Sequence, residues 1–233
     1  MNQKCNIFRF RSASINYSTY FYILEYIRGR ILLREERVTG IILAGGMSSR
    51  FGSNKALTRF DGEKLIHRLY KNLTAVTDQM ILITNTPEDY GFLNITTQHD
   101  LIPNCGPIGG IYTALSTAQT SLIFCVACDM PFVNPAFLEH MIRRSKGYDV
   151  VVPIHNGQEE PLCAIYRKTC LKTIYDQISS QKFKITEFYK NVRVLRLNPS
   201  DSGFSENDMF FNINYPTDIK EALKRLKNQR LSS

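Results

Sequence analysis

Short apolar runs, each cut off by glycine or a polar cluster and separated by stretches of helical spacing, constrain this chain more than any other feature. They fall at 41–43, 79–84, 121–127 and 149–153. An unbroken run of that length suits a strand buried on both faces. Between them, residues 64–77 set Leu65, Ile66, Leu69, Tyr70, Leu73 and Val76 on one side of a helix. Residues 108–118, 135–144, 168–178 and 216–227 also read as helices, and 95–98 and 162–167 as further strands. The alternation predicts an α/β chain: a Rossmann-like open, mostly parallel sheet with helices on both faces. Such sheets bind ligands at the carboxyl ends of their strands. The loops after Leu43, Thr84, Gln98 and Ala127 are therefore where chemistry is expected.

Composition sets the outer limits. The 233 residues are 43% hydrophobic, enough for a core. Residues 1–37 differ from the rest, with basic clusters, scattered aromatics and no clean period. The chain is therefore divided into an extension, 1–37, and a domain, 38–233. The strand that opens abruptly at Val38 favours a biological start there, over an arm that packs on the domain or a partner. The extension holds half of the net charge of +8. The remaining excess suits polyphosphate substrates, and without a recognisable reading module no nucleic-acid partner is expected. No stretch looks able to span a bilayer, and residues 17–27 lack a signal cleavage site, which points to the cytoplasm and no membrane partner. The six cysteines form no secreted framework and are read as reduced thiols, Cys125 and Cys128 as core-strand residues rather than a redox pair. The histidines at 67, 99, 140 and 155 show no ligand spacing for zinc.

The densest chemical signal is LAGGMSSRFGSNKAL, residues 43–57. Gly45 and Gly46 allow close backbone approach to a ligand. Arg50 and Lys55 add two cations on either side of Gly52. Backbone N–H groups with Arg and Lys make a cradle for a triphosphate. The loop is neither a Walker A sequence nor the dinucleotide fingerprint. Asp129, in CDMPF after the most apolar run, is placed to bind Mg²⁺, which takes one or two carboxylates plus substrate phosphates.

These residues resemble the signature L-A-G-G-x-S-x-R-x-G-x-x-K of nucleotidyltransferases with a glycosyltransferase-A-like fold, and among them the molybdenum cofactor guanylyltransferases. The resemblance implies that Leu43, Ala44, Gly45 and Gly46 meet the nucleotide, that Arg50 and Lys55 hold its phosphates, and that Asp129 holds Mg²⁺. It assigns Asn85 and Asp100 to the guanine nucleotide. Family members often carry Asp before the lysine, where this chain has Asn54. GPIGG at 106–110 matches a family segment, read equally as close approach to a ligand or as helix packing. EEPLCAIY at 159–166 matches an acceptor-side strand, where Glu160 either shapes a pterin pocket or is structural. In FFNINYPTDI at 210–219, Asn214 or Asn212 completes the metal site, with Asn214 preferred. The alternative for the 212–214 asparagines is a helix cap.

The implied reaction moves GMP from GTP to the terminal phosphate of molybdenum-molybdopterin, with release of pyrophosphate. Arg50, Lys55 and Asp129 are the catalytic candidates. The implied partners are GTP, molybdenum-molybdopterin, and molybdoenzyme apoproteins or their chaperones. A molybdopterin cytidylyltransferase or a sugar-phosphate nucleotidylyltransferase keeps the chemistry with another substrate. A non-catalytic carrier of nucleotide or molybdopterin is the alternative of another class.

Overall fold

A computed structural model describes residues 36–45, 54–204 and 208–232. Residues 36–233 form one unit, and the expected extension lies almost wholly outside the described residues. The first strand, β1 (Val38–Leu43), is buried along its whole length. A two-residue hairpin follows, β2 (Arg59–Phe60) and β3 (Glu63–Lys64). Then come helix α1 (Leu65–Thr74), β4 (Gln79–Ile83), β5 (Thr96–Gln98), α2 (Pro107–Thr117), β6 (Leu122–Ala127) and α3 (Pro135–Arg144). The chain continues through β7 (Val150–His155), β8 (Gln158–Glu159), β9 (Cys163–Arg167), α4 (Leu171–Ser179), β10 (Val194–Leu197) and α5 (Asp218–Ser232).

The strands lie in the order β10-β7-β9-β6-β1-β4-β5, with β8 paired to β7. Strand β1 is central and runs parallel to β4 and β6. The expected open, mostly parallel sheet is present, with one reversal: β9 sits antiparallel between β6 and β7. Because β9 is reversed, its beginning lies beside the carboxyl ends of β1 and β6.

Both faces of the sheet are apolar because alternate residues of one strand enter different cores. Val38 and Ile42 of β1 join Phe124 of β6 beneath α1 and α3, through Ile66, Leu69, Phe137 and Met141. Ile41 and Leu43 join Ile123 and Cys125 beneath α2 and α4, through Ile108, Ile111, Ile174 and Ile178. Gly40 has a packing reason. A Cβ there would lie 2.4 Å from the Met80 sulfur and 2.8 Å from Thr77 Oγ1, so any side chain at that point would force Met80 and Thr77 to shift.

A third, smaller core joins Phe60 of the hairpin, Leu65, Phe132, Ile213, and Ala222 and Leu226 of α5. Phe60 and Phe132 meet edge to face at 5.8 Å, a favoured aromatic geometry. Sequence periodicity missed the hairpin, β8 and β10. The first two are two residues long, and β10 is a half-buried edge strand with Arg196 exposed. The last helix begins at Asp218 rather than Pro216. The Asp218 carboxylate accepts from the N–H groups of Asn214 and Tyr215, each at 2.8 Å, and the turn this closes precedes the helix.

Candidate functional site

The carboxyl ends of β1, β4, β5 and β6 open onto a cleft of about 770 Å³. Parallel pairing brings these ends together. The ladder runs past the strands themselves, with Ala44 N–H donating to the Ile83 carbonyl at 2.9 Å and Cys128 N–H to the Leu43 carbonyl at 3.1 Å. The reversed β9 closes one side, where Ala127 N–H donates to the Leu162 carbonyl at 2.8 Å. Leu43, Ala44, Gly45, Asn85, Asp100 and Asp129 all line the cleft. Gly46 and Arg50 lie outside the described residues.

At one end, Asn85 and Asp100 hold each other. Asn85 Nδ2 donates to Asp100 Oδ2, and Asp100 N–H donates to Asn85 Oδ1, both at 3.3 Å. The second carboxylate oxygen, Asp100 Oδ1, is buried with no hydrogen-bond partner among the described residues. A buried acceptor without a donor costs about 1–3 kcal/mol, so this oxygen is suited to a ligand N–H. Two glycines lie beside this carboxylate: a Cβ on Gly45 would stand 4.0 Å from Asp100 Oδ2, and one on Gly110 3.7 Å from Oδ1, both ordinary contacts.

Within the GPIGG segment, Gly109 packs the helix while Gly106 and Gly110 line the cleft. Gly106 caps α2 at φ 62°, ψ −155°, a region that only glycine occupies readily. Gly109 is there for packing: a Cβ would stand 3.0 Å from Cys105 Cβ and 3.1 Å from the Ile102 carbonyl. Gly110 faces Leu43 and the cleft, with a would-be Cβ 3.0 Å from Leu43 Cδ2.

At the other end, Lys55 Nζ donates to Asp129 Oδ2 at 2.7 Å and to Asn214 Oδ1 at 3.4 Å. These three residues are far apart in sequence, and the third core explains their meeting. Phe60 follows Lys55, Phe132 follows Asp129 and Ile213 precedes Asn214, and all three apolar side chains share that cluster. A backbone bond from Ile213 N–H to the Asp129 carbonyl at 3.0 Å fixes the register. From α1, Arg68 Nε donates to the Pro131 carbonyl and Asn72 Nδ2 to the Val133 carbonyl, both at 2.9 Å. Arg68 and Asn72 lie one turn apart on the same helix face, and together they pin the loop that carries Asp129.

Asp129 Oδ1 is buried without a partner among the described residues, as is Asn212 Oδ1. Among the described residues no three His, Cys, Asp or Glu side chains gather as a metal cluster. A single buried carboxylate oxygen beside an open cleft nevertheless fits Mg²⁺, which completes its shell with water and substrate phosphates. Asn214 spends its side-chain oxygen on Lys55, and its N–H is itself capped by Asp218, so in this structure it is not the capping residue.

Sequence reading missed the support beneath Lys55. Asn54 caps the turn that carries it, accepting from Ala56 N–H at 3.2 Å. Its amide donates to Asp89 Oδ2 and to the Tyr90 hydroxyl, both at 3.0 Å. An aspartate there would face the Asp89 carboxylate, which gives a physical reason for asparagine. The asparagine at 54, where family members often carry aspartate, is the signal in the sequence, but its partners lie 35 and 36 residues away. Cys128 lines the cleft as a neutral thiol, since burial and then the Asp129 carboxylate push it up to about 12. Cys125 and Cys128 are both free; Cys125 lies within β6 as expected, but Cys128 falls just past the strand and faces the cleft, so the core-strand reading is corrected for Cys128.

A strand-end cleft with an acid at each end that keeps one oxygen without a partner among the described residues, and a lysine against one of those acids, is suited to a nucleotide and a cation. The chain matches the MobA-like NTP transferase domain over residues 40–193. It is 36% identical over 196 residues to a probable molybdenum cofactor guanylyltransferase of Pelotomaculum thermopropionicum, covering 83% of this chain and 96% of that one. It is 35% identical over 201 residues to the molybdenum cofactor guanylyltransferase of Desulfosudis oleivorans, covering 84% and 100%. Among solved structures, the molybdopterin-guanine dinucleotide biosynthesis protein A of Archaeoglobus fulgidus superposes with a TM-score of 0.70 at 27% identity, over 82% of this chain and 99% of that one. The chain belongs to the MobA-like NTP transferase family, and it is a nucleotidyltransferase. No described helix is long and apolar enough to cross a membrane.

Proposed function

We propose that this protein transfers GMP from GTP to the terminal phosphate of molybdenum-molybdopterin, giving a molybdopterin guanine dinucleotide and pyrophosphate. The observation that carries this reading is the pair of buried, partnerless carboxylate oxygens at opposite ends of one cleft, on Asp100 and Asp129. Guanine presents N–H donors along one edge, which suits Asp100 held by Asn85. Asp129 suits a divalent cation on the phosphates. The names of the relatives agree with this substrate pair.

In the proposed reaction an oxygen of the acceptor phosphate bonds to the α-phosphorus of GTP. The bond from that phosphorus to the bridging oxygen breaks, and pyrophosphate leaves with its electrons. The acceptor is already an anion, so the site needs no strong general base. Asn85 and Asp100 orient the base, and Gly45 and Gly110 let it lie against the strand ends. Lys55, and Arg50 from outside the described residues, neutralise phosphate charge, so that catalysis is largely positioning and electrostatics. Asp129, with Asn214 beside it, would hold Mg²⁺. When bound, Mg²⁺ supplies Lewis-acid charge neutralisation on the α-phosphoryl group. The product then passes to molybdoenzyme apoproteins or their chaperones.

The direct test is pyrophosphate release with Mg²⁺, molybdopterin and each nucleoside triphosphate in turn. GTP is expected to be the productive donor. Release with CTP would change the base assignment and keep the chemistry. Molybdopterin binding with no release from any nucleotide would favour a carrier.

A further inference from the structure

One side chain of the cleft is needed in two places. Lys55 Nζ lies between Asp129 Oδ2 and Asn214 Oδ1, on the same two side chains that are read as holding a divalent cation, while Asp129 Oδ1 is left without a partner among the described residues. The same ammonium is read as a phosphate ligand. While it sits on Oδ2 its charge opposes a cation on the same carboxylate, and its ammonium is spent on Asp129 rather than on phosphate. Both partners of the ion pair are only 17% exposed, so solvent screens the pair poorly. A dication approaching Asp129 would meet the lysine charge within a few ångströms.

We propose that Lys55 is a built-in counter-ion that holds the cation's place in the free protein, and that it leaves Asp129 when a triphosphate arrives. Metal and nucleotide then load together. This rests on the reading of Asp129 as the cation-binding carboxylate. The triphosphate draws Lys55 across to its own negative charge, frees the carboxylate, and brings the oxygens that complete the metal's shell. Coupling of this kind is reciprocal: what nucleotide does for metal, metal does for nucleotide. The third core fixes the chain beside all three residues, so the exchange falls to the flexible four-carbon stem of Lys55. A site that held metal tightly without nucleotide would have no use for a lysine there.

The test is Mn²⁺ binding to the full-length protein, followed by the electron paramagnetic resonance of free Mn²⁺, without nucleotide and without turnover. Lys55→Met is expected to bind Mn²⁺ about tenfold more tightly than the unaltered protein, equivalent to ~1.4 kcal/mol. Lys55→Arg keeps the cation and is expected to bind as weakly as the unaltered protein. The gain must vanish in the double variant with Asp129→Ala, which separates exchange at this carboxylate from a general loss of positive charge. Affinity for preformed Mn²⁺–GTP, measured on Asp129→Ala, tests the underlying reading by itself. A loss there with no Mn²⁺ gain in Lys55→Met overturns the exchange and leaves Asp129 as the metal residue. Unchanged Mn²⁺–GTP affinity in Asp129→Ala overturns that assignment, and the exchange with it.

Discussion

The donor end of the cleft and the side closed by β9 are built on different principles. The donor end is the meeting of parallel strand termini, where β1, β4, β5 and β6 stop at one level and their loops converge. The opposite side is made from the start of an antiparallel strand and a segment close to the chain's end. There Glu160 is half-buried, its carboxyl raised by burial first and by Asp129 as well, against a lowering pull from His155. Its loop is propped from behind, with the buried Tyr166 hydroxyl donating to the Pro161 carbonyl at 2.6 Å and standing 2.9 Å from the Tyr189 hydroxyl. His155 and Phe210 face each other at 5.1 Å. The first region is preorganised by backbone pairing and presents unpaired acceptors. The second is shaped by side-chain packing, which tolerates more variation in what it holds.

The comparison breaks most readily at Asp129. Asp129→Ala is expected to lower kcat by about 10³-fold or more, the scale on which removal of transition-state charge stabilisation acts, while thermal melting moves little. Near-normal turnover in this variant would place the metal elsewhere. Asp100→Asn is next. It is expected to weaken GTP binding by about tenfold, ~1.4 kcal/mol, and to narrow the preference for GTP over other nucleotides, read by competition binding. An equal loss for every nucleotide would make Asp100 structural. Asn54→Asp is expected to raise the KM for GTP by a few-fold by setting two carboxylates against each other, and Asp89→Asn in the same chain to recover most of it. Absence of recovery would sever Asn54 from Asp89.

The smallest effect belongs to the acceptor side. A carboxyl raised by the fold binds its proton more tightly in the native than in the unfolded chain. Its contribution therefore falls as pH rises from the unfolded value through the folded one. Glu160→Gln is accordingly expected to raise the melting temperature slightly at neutral pH, and not below the ordinary carboxyl value of 4.5. It is also expected to alter the KM for the pterin acceptor more than that for GTP. The reverse pattern would move Glu160 to the donor end.

The same contrast explains what could be read from sequence. Buried parallel strands announce themselves as unbroken apolar runs, and the loops after them inherit a location from the fold. Leu43, Asn85, Asp100 and Asp129 could thus be named before any coordinates, Asn85 and Asp100 only through family likeness. The direction of β9 could not be read, because residues 162–167 look the same whichever way the strand runs. Nor could the third core, whose members come from 60–65, 132, 213 and 222–226 and meet only in three dimensions. That core is what brings Lys55, Asp129 and Asn214 together. The carboxylate orphaned at each end of the cleft was equally invisible, since lack of a partner is a property of space and not of spacing.

The account stands or falls on guanylyl transfer at this cleft. The most direct measurement follows GTP labelled at the α-phosphorus, and separately at the γ-phosphorus, through reaction with molybdopterin and Mg²⁺. The α label is expected in a molybdopterin dinucleotide and the γ label in pyrophosphate, both abolished by Asp129→Ala. An α label that stays with free nucleotide while molybdopterin is bound, or a γ label found on the acceptor, would contradict the account.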